Sequence, residues 1–265
     1  MVMLTISYFN DVTIIRTTRI FAGKKLFSSM FYRYGESLFD AGLSGRNGIE
    51  NVVSGVSGVY VTHPHIDHIG GLCTLGRLGI RAYAHKDAID KIRSPSSPFM
   101  LRMMTGAPKP TDATTCPDKF LASGEDVFSI HTPGHCREHL CFHVPSKGYV
   151  FTGDLVLNGK LEWVSDEVRM WDAIDSLKLL RSLQPRVLFP GHGTPFEDPD
   201  ELLKTKIAAY EDLGKKVLEM HDDGIDDQAI RDALLGGENM FSRLSGGKFS
   251  KLNLVKSYLG TLVTR

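Results

Sequence analysis

The sequence contains no apolar run close to the roughly 18 residues that a membrane-crossing helix needs, and it has no excess of either charge. Its 31 lysines and arginines balance 31 aspartates and glutamates. A balanced surface gives no general attraction to nucleic acid or to anionic lipid. Cysteine is scarce: Cys73, Cys116, Cys136 and Cys141 occur without a CxxC spacing, so neither a disulfide framework nor a cysteine-rich structural zinc site is expected. The opening MVMLTISYFNDVT lacks the basic and long apolar segments of an export signal. The expectation is reduced thiols in the cytoplasm, with no membrane and no nucleic-acid partner. There is no internal repeat. Gly246-Gly247-Lys248 is followed by Phe249, where a phosphate-binding loop would need Ser or Thr.

Hydrophobic patterning is that of a layered protein. Strand signals fall at Val12–Ile15, Phe27–Tyr34, Ser37–Asp40, Val59–Val61, Ile80–Ala84, Val127–Ile130, Leu140–Val144, Gly148–Phe151 and Arg186–Phe189. Helical stretches are expected from Gly70, near Lys86–Ile92, and over Glu167–Leu183, where Trp171, Ile174, Leu177 and Leu180 recur at helical spacing. Residues 93–118 carry five prolines and Met100, Met103 and Met104, which argues for a loop, either a pliable lid or a surface crossing. Strands interleaved with helices indicate an α/β (α+β) domain over residues 1–196. Beyond it, Leu203, Ile207, Tyr210, Val217 and Met220 share one face of a long helix, and further helices are expected near Asp226–Leu235 and Ser250–Thr264. Residues 197–265 thus read as a helical appendage; its 10 basic and 13 acidic residues sum to −3. The long helix face is a candidate homodimer contact or a face that packs on the first domain.

The chemistry concentrates in one short stretch. His63, His65, Asp67 and His68 spell HxHxDH, more nitrogen and oxygen donors than one first-row ion takes from so short a loop, so two ions can share them. Three further donors each follow a glycine after an apolar run: His135 in TPGH, Asp154 in FTGD and His192 in PGHG. Glycine permits a sharp turn at a strand end, after which the next side chain can point into a shared cleft. His85, His131, His139, His143 and His221 fall outside this pattern and read as core, supporting or surface residues, with His131 a candidate to orient a ligand. Cys136 reads as a buried, inert thiol beside His135, or a redox-sensitive one. Trp163, Trp171 and Tyr210 read as core aromatics or substrate contacts.

Together with Phe39-Asp40-Ala41-Gly42, these blocks resemble the metallo-β-lactamase superfamily, including its hydroxyacylglutathione hydrolases and lactonases. The resemblance implies a four-layer αββα sandwich with two divalent metal ions at one edge. His63, His65 and His135 would hold one ion, Asp67, His68 and His192 the other, and Asp154 would bridge them. Zn²⁺ is the first choice, with Fe and Mn as alternatives. A hydroxide shared by the ions would be the nucleophile, and Asp67 would orient it or accept its proton. Asp stands at 154, where secreted β-lactamases of the superfamily usually carry Cys or Ser. The Gly-Arg-rich loop of hydroxyacylglutathione hydrolases is missing after Asp154. The expected reaction is hydrolysis of a small ester, thioester or lactone. The alternatives are a phosphodiesterase or RNA endonuclease and a mono-iron persulfide dioxygenase.

Overall fold

The structure is a computed structural model that describes residues 1–45, 48–159, 161–238 and 240–261. Its contacts divide into two compact units. The first comprises Met1–His131, Glu138–Leu157 and Arg186–Glu197; the second comprises Thr132–Arg137, Asn158–Pro185 and Asp198–Arg265.

In the first unit, seven strands lie side by side in chain order: β1 (Val2–Phe9), β2 (Val12–Phe21), β3 (Lys24–Tyr34), β4 (Ser37–Phe39), β5 (Gly58–Tyr60), β6 (Arg81–Ala84) and β7 (Thr114–Thr115). The pairs from β1 to β4 are antiparallel and those from β4 to β7 parallel. Helices α1 (Leu72–Arg77), α2 (Ile89–Arg93) and α3 (Phe99–Thr105) connect the parallel strands. The second sheet contains β8 (Lys119–Ala122), β9 (Glu125–His131), β10 (Leu140–Val144) and β11 (Tyr149–Gly153). Strand β12 (Val164–Ser165) belongs to the other unit, and the sheet is completed by β13 (Val187–Pro190) and β14 (Phe196–Glu197).

The period of two along a strand sorts the first sheet's side chains to two cores. Val12, Ile14, Met30, Tyr32, Tyr34, Phe39 and Tyr60 pack with Val127, Leu140, Phe142, Phe151 and Phe189 of the second sheet. Rings stack across this interface, Phe39 on Phe151 at 3.8 Å and Tyr60 on Phe120 at 3.6 Å between centroids. On the opposite face, Ile15, Phe31, Leu38, Val59 and Val61 pack with Leu72 and Leu75 of α1 and Ile92 of α2. The first unit is therefore layered helix, sheet, sheet, with the parallel strands' carboxyl ends leading into the loops that carry the donors.

In the second unit, α4 (Met170–Ser182) buries Ile174, Leu177 and Leu180, and α5 (Asp200–Asp222) buries Leu203, Ile207 and Val217, as the helical spacing predicts. Trp171 donates its indole N–H to the Tyr258 carbonyl. Helices α6 (Asp227–Leu235) and α7 (Met240–Leu244) precede β15 (Phe249–Ser250), which pairs with β12, and α8 (Lys251–Leu259) follows. The side chains of Asp226 and Ser250 cap α6 and α8 by accepting backbone N–H bonds. Residues 262–264 of the expected last helix lie outside the described residues.

Strands β1 and β8, with the very short β7, β12, β14 and β15, have no counterpart among the expected ones. Most of β1 is exposed on both faces as an edge strand, so it lacks the alternation that marks a half-buried strand. The proline-rich stretch 93–118 contains the two-turn α3, because Pro98 falls just before the helix, where a missing N–H costs no helical hydrogen bond. Among the described residues, no helix is long and apolar enough to cross a membrane, and no disulfide joins the four cysteines.

Candidate metal centre

The HxHxDH residues occupy the loop after β5. Asp154 follows β11 directly, and His192 lies two residues beyond β13. Asp67, His68, Asp154 and His192, all in the first unit, each bring one donor atom into a group lying within 4.8 Å of one another. Nε2 of His192 is 3.1 Å from Oδ2 of Asp67 and 3.5 Å from Oδ2 of Asp154. Nε2 of His68 is 3.3 Å from Oδ1 of Asp154 and 3.5 Å from Oδ2 of Asp67. His63 and His65 adjoin this group: His63 Nε2 lies 3.0 Å from His65 Nδ1 and 3.9 Å from Oδ2 of Asp154. Oδ1 of Asp154 thus faces His68, and Oδ2 faces His63 and His192.

Ring orientation is set from behind. Asp40 is buried with φ +67°, a left-handed conformation that Asp tolerates better than most residues. Its carboxylate accepts the backbone N–H of Thr62 at 2.7 Å and faces the Thr62 hydroxyl and His68 Nδ1, both at 2.8 Å. The Thr62 hydroxyl hydrogen goes to Asp40, so its oxygen, 3.0 Å from His63 Nδ1, accepts from that ring. One carboxylate thereby places the proton on Nδ1 of both His63 and His68 and leaves each Nε2 lone pair for a cation, the carboxylate–histidine arrangement of metal sites. The FDAG block draws attention to Asp40, but nothing in the sequence connects it to Thr62.

Strand β3 holds the third block by its alternation. The Ser28 carbonyl accepts from His192 Nδ1–H at 2.8 Å, the Met30 N–H donates to the Gly191 carbonyl at 2.8 Å, and the Tyr32 hydroxyl donates to the Pro190 carbonyl. Burial, together with Asp40 and Asp154, raises the Tyr32 pKa strongly, so the hydroxyl stays a donor. None of these contacts has a sequence signature: two run through the backbone, and a tyrosine in an apolar strand reads as core.

The glycines serve different ends. Gly153 has φ +46° and turns the chain as expected. Gly191 has no positive φ; a Cβ there would stand 2.4 Å from Cε1 of His68 and 2.5 Å from Oδ1 of Asp154. Its role is space between two donors rather than a turn.

Burial disfavours every charge in this cluster, yet mutual attraction prevails. Burial lowers the pKa of His68, but Asp154, Asp40 and Asp67 hold it well above the usual imidazole range. His192 is likewise pushed up to about 10 by Asp154 and Asp67 against the effect of burial. For Asp67, burial is outweighed by His68 and His192, which bring it down to about 2. The pocket therefore selects for positive charge. With its imidazoles neutral it presents lone pairs and carboxylates to one another, and His68 Nε2, shielded from solvent, makes no hydrogen bond. A divalent cation resolves this arrangement, so the residues present fit a metal.

His135 is half-buried on the 132–137 turn, which belongs to the second unit. Among the described residues, His85, His131, His139, His143 and His221 join no group of donors that could hold a metal. His85 and His131 stack on each other at 4.8 Å, His143 is buried on β10, and the ring of His139 lies 5.2 Å from that of His63. Cys136 is buried.

Residues 38–192 match the family model described as the metallo-beta-lactamase superfamily, more than half of the chain, and the chain belongs to that superfamily. Its fold is shared by a metallo-beta-lactamase family protein from Thermus thermophilus, with TM-score 0.72 and 18% identity over 95% of this chain and 94% of that one. A beta-lactamase domain protein from Burkholderia ambifaria has TM-score 0.72 and 17% identity over 96% and 87% of the two chains. Among curated proteins, the chain is similar to an atrochrysone carboxyl ACP thioesterase of Aspergillus fumigatus, 27% identical over 62% of this chain and 46% of the relative. A protein of the same name from Aspergillus terreus is 33% identical over 54% and 39%, and a beta-lactamase-like protein 2 homolog of Drosophila melanogaster is 29% identical over 53% and 46%. The chain spans less than half the length of each of these three relatives.

Proposed function

We propose that this chain is a metal-dependent hydrolase of a small ester, thioester or lactone, with residues 1–196 as the catalytic part and 197–265 as a helical appendage. The observation that carries the reading is the group Asp67, His68, Asp154 and His192, whose donors converge while the Nε2 of His68 makes no hydrogen bond. His63, His65 and His135 would hold one ion, Asp67, His68 and His192 a second, and Asp154 both. Neutral imidazoles and carboxylates suit Zn²⁺ first, with Fe or Mn as alternatives. Divalent cations bound there would polarise a carbonyl and bring the pKa of water to about 7.

The remaining work falls to the chain's own groups. Asp40 and Thr62 keep two imidazoles in the tautomer that offers Nε2. The Ser28 carbonyl does the same for His192. Asp67, ionised above about pH 2, accepts a hydrogen bond at neutral pH and so orients a water molecule or takes its proton. The thioesterase names of the Aspergillus relatives support trying thioesters first, and the absence of net charge favours a small molecule over nucleic acid.

The test is a panel of thioester, lactone and phosphodiester substrates, run with metal counted per chain by emission spectroscopy. Thioester or lactone cleavage with two ions per chain is the expected result. Ribonuclease activity without thioester cleavage, or oxygen uptake on a persulfide with one iron per chain, would overturn it.

A further inference from the structure

Strand β1 forms one edge of the seven-stranded sheet in the first unit. Such an edge exposes a row of unpaired backbone groups, and proteins blunt it with Lys, Pro, a bulge or a very short strand. β1 has none of these: VMLTISYF carries no charge and no proline, and its eight residues pair with β2 without a register shift. Met3, Ile6 and Tyr8 are 41%, 45% and 75% exposed. A long, uncharged, apolar edge is a template for a further strand.

The ladder with β2 fixes which backbone groups that further strand would meet. Met1 and Ile20 exchange both hydrogen bonds, the Met1 amine donating at 3.2 Å and the Ile20 N–H at 2.9 Å. Bonded and non-bonded residue pairs alternate along an antiparallel ladder, so Met3, Thr5, Ser7 and Phe9 bond to β2, while Leu4, Ile6 and Tyr8 turn their N–H and C=O groups outward. Among the described residues, no strand lies beyond them. Val2 is only 6% exposed and is shut against the loop at Gly45, where a Cβ would stand 3.1 Å from its Cγ2. The available run is therefore residues 3–9, about 23 Å long at roughly 3.3 Å per residue.

By residue class this run reads the same in both directions. About Ile6, Thr5 answers Ser7, Leu4 answers Tyr8 and Met3 answers Phe9. Two copies related by a two-fold axis at Ile6 would set hydroxyl against hydroxyl and apolar against apolar, with directly opposed residues on the same face. Outward-bonding residues would also meet outward-bonding ones, which allows both hydrogen bonds in the Ile6–Ile6 pair and in each Leu4–Tyr8 pair. An axis at Thr5 would instead oppose Ser7 to Met3, and an axis at Ser7 would oppose Thr5 to Phe9. The run carries no charge, so no like charges meet. We propose that β1 pairs antiparallel with β1 of a second copy of this chain, joining the two first sheets edge to edge in an isologous dimer. The proposal does not depend on the metal centre or on the proposed reaction.

Sedimentation velocity of the full chain over about 1–200 μM, a range that brackets micromolar association, should show a reversible dimer. Ile6→Lys sets two ammonium groups against each other at the axis and should raise the dissociation constant at least about tenfold, with far-UV circular dichroism unchanged. Ile6→Glu should do the same. An equimolar mixture of the two variants should recover the dimer, because only on the axis does a residue meet its own copy. Amide exchange followed by NMR reads the register: Leu4, Ile6 and Tyr8 should slow as concentration rises, while Met3, Thr5 and Ser7 are slow throughout. Wild type that stays monomeric at the top of the range would overturn the proposal. So would a dimer untouched by Ile6→Lys, no recovery in the mixture, or exchange at Leu4, Ile6 and Tyr8 that ignores concentration. Should Ile6→Lys not fold, Tyr8→Pro removes an N–H that β2 does not use, a substitution an edge strand accepts; it should weaken the dimer likewise, and an unchanged dissociation constant would overturn the pairing.

Discussion

Replacing Gly191 with alanine isolates the demand for space at the metal centre. The new methyl carbon would lie 2.4 Å from Cε1 of His68 and 2.5 Å from Oδ1 of Asp154, against about 3.5–4.0 Å for a comfortable carbon contact. Each donor must retreat by about 1 Å, twice the roughly 0.5 Å tolerance of a functional constellation. Gly191 has no positive φ, so backbone strain adds nothing and the effect is steric. Overpacking of this kind costs about 1–3 kcal/mol, and for a chain of this size each kcal/mol lowers the thermal midpoint by about 2–4 °C. Displacing two donors should weaken metal binding by at least the roughly 10–100-fold seen when a supporting residue alone is lost. Chelator competition with metal counted per chain would read the affinity, and calorimetry the midpoint. Gly79→Ala is the control: Gly79 has φ +81° with nothing within 4 Å of a Cβ, so alanine there should cost about 1–2 kcal/mol of left-handed strain and leave the metal alone. Full metal content and an unchanged midpoint in Gly191→Ala, or an equal metal loss in Gly79→Ala, would refute the reasoning.

Asp154→Ala should reduce metal occupancy and activity together, while His143→Ala should leave both near wild type; equal losses in metal analysis and turnover would discredit the ligand assignment. Asp40→Asn should cost about 2–3 kcal/mol, the scale of a hydrogen bond to a charged group, and weaken metal binding about 10–100-fold, with nitrogen NMR showing His68 no longer held as the Nδ1–H tautomer. For the metal-free protein, the raised His192 pKa of about 10 stabilises the fold fully below the unfolded value of about 6.5, and that contribution is lost as pH rises through about 10. The lowered Asp67 pKa of about 2 contributes above about 3.8 and is lost as pH falls through about 2. Thermal midpoints of chelator-treated protein should therefore decline from pH 6.5 towards 10, while metal affinity rises over the same range because protons compete for the imidazoles; a flat midpoint there would contradict the sign.

The donors were legible in the sequence because metal chemistry restricts residue type: few side chains supply nitrogen or carboxylate ligands, so HxHxDH and the glycine-led His135, Asp154 and His192 stand out in one dimension. Helix positions are legible where one face is buried, as in α4 and α5, since burial there imposes a period of 3.6; β10 and β11, buried at every position, are legible as short apolar runs between turns. Where burial is slight, as along β1, the signal fades. The supporting contacts were settled only in three dimensions. Asp40 meets Thr62 and His68 across 22 and 28 residues, and Ser28 meets His192 across 164. The first set of partners is chosen by the pairing of β4 with β5 in one sheet and the second by packing between the two sheets, and a carbonyl, a core tyrosine or the empty volume at Gly191 leaves no mark on residue type.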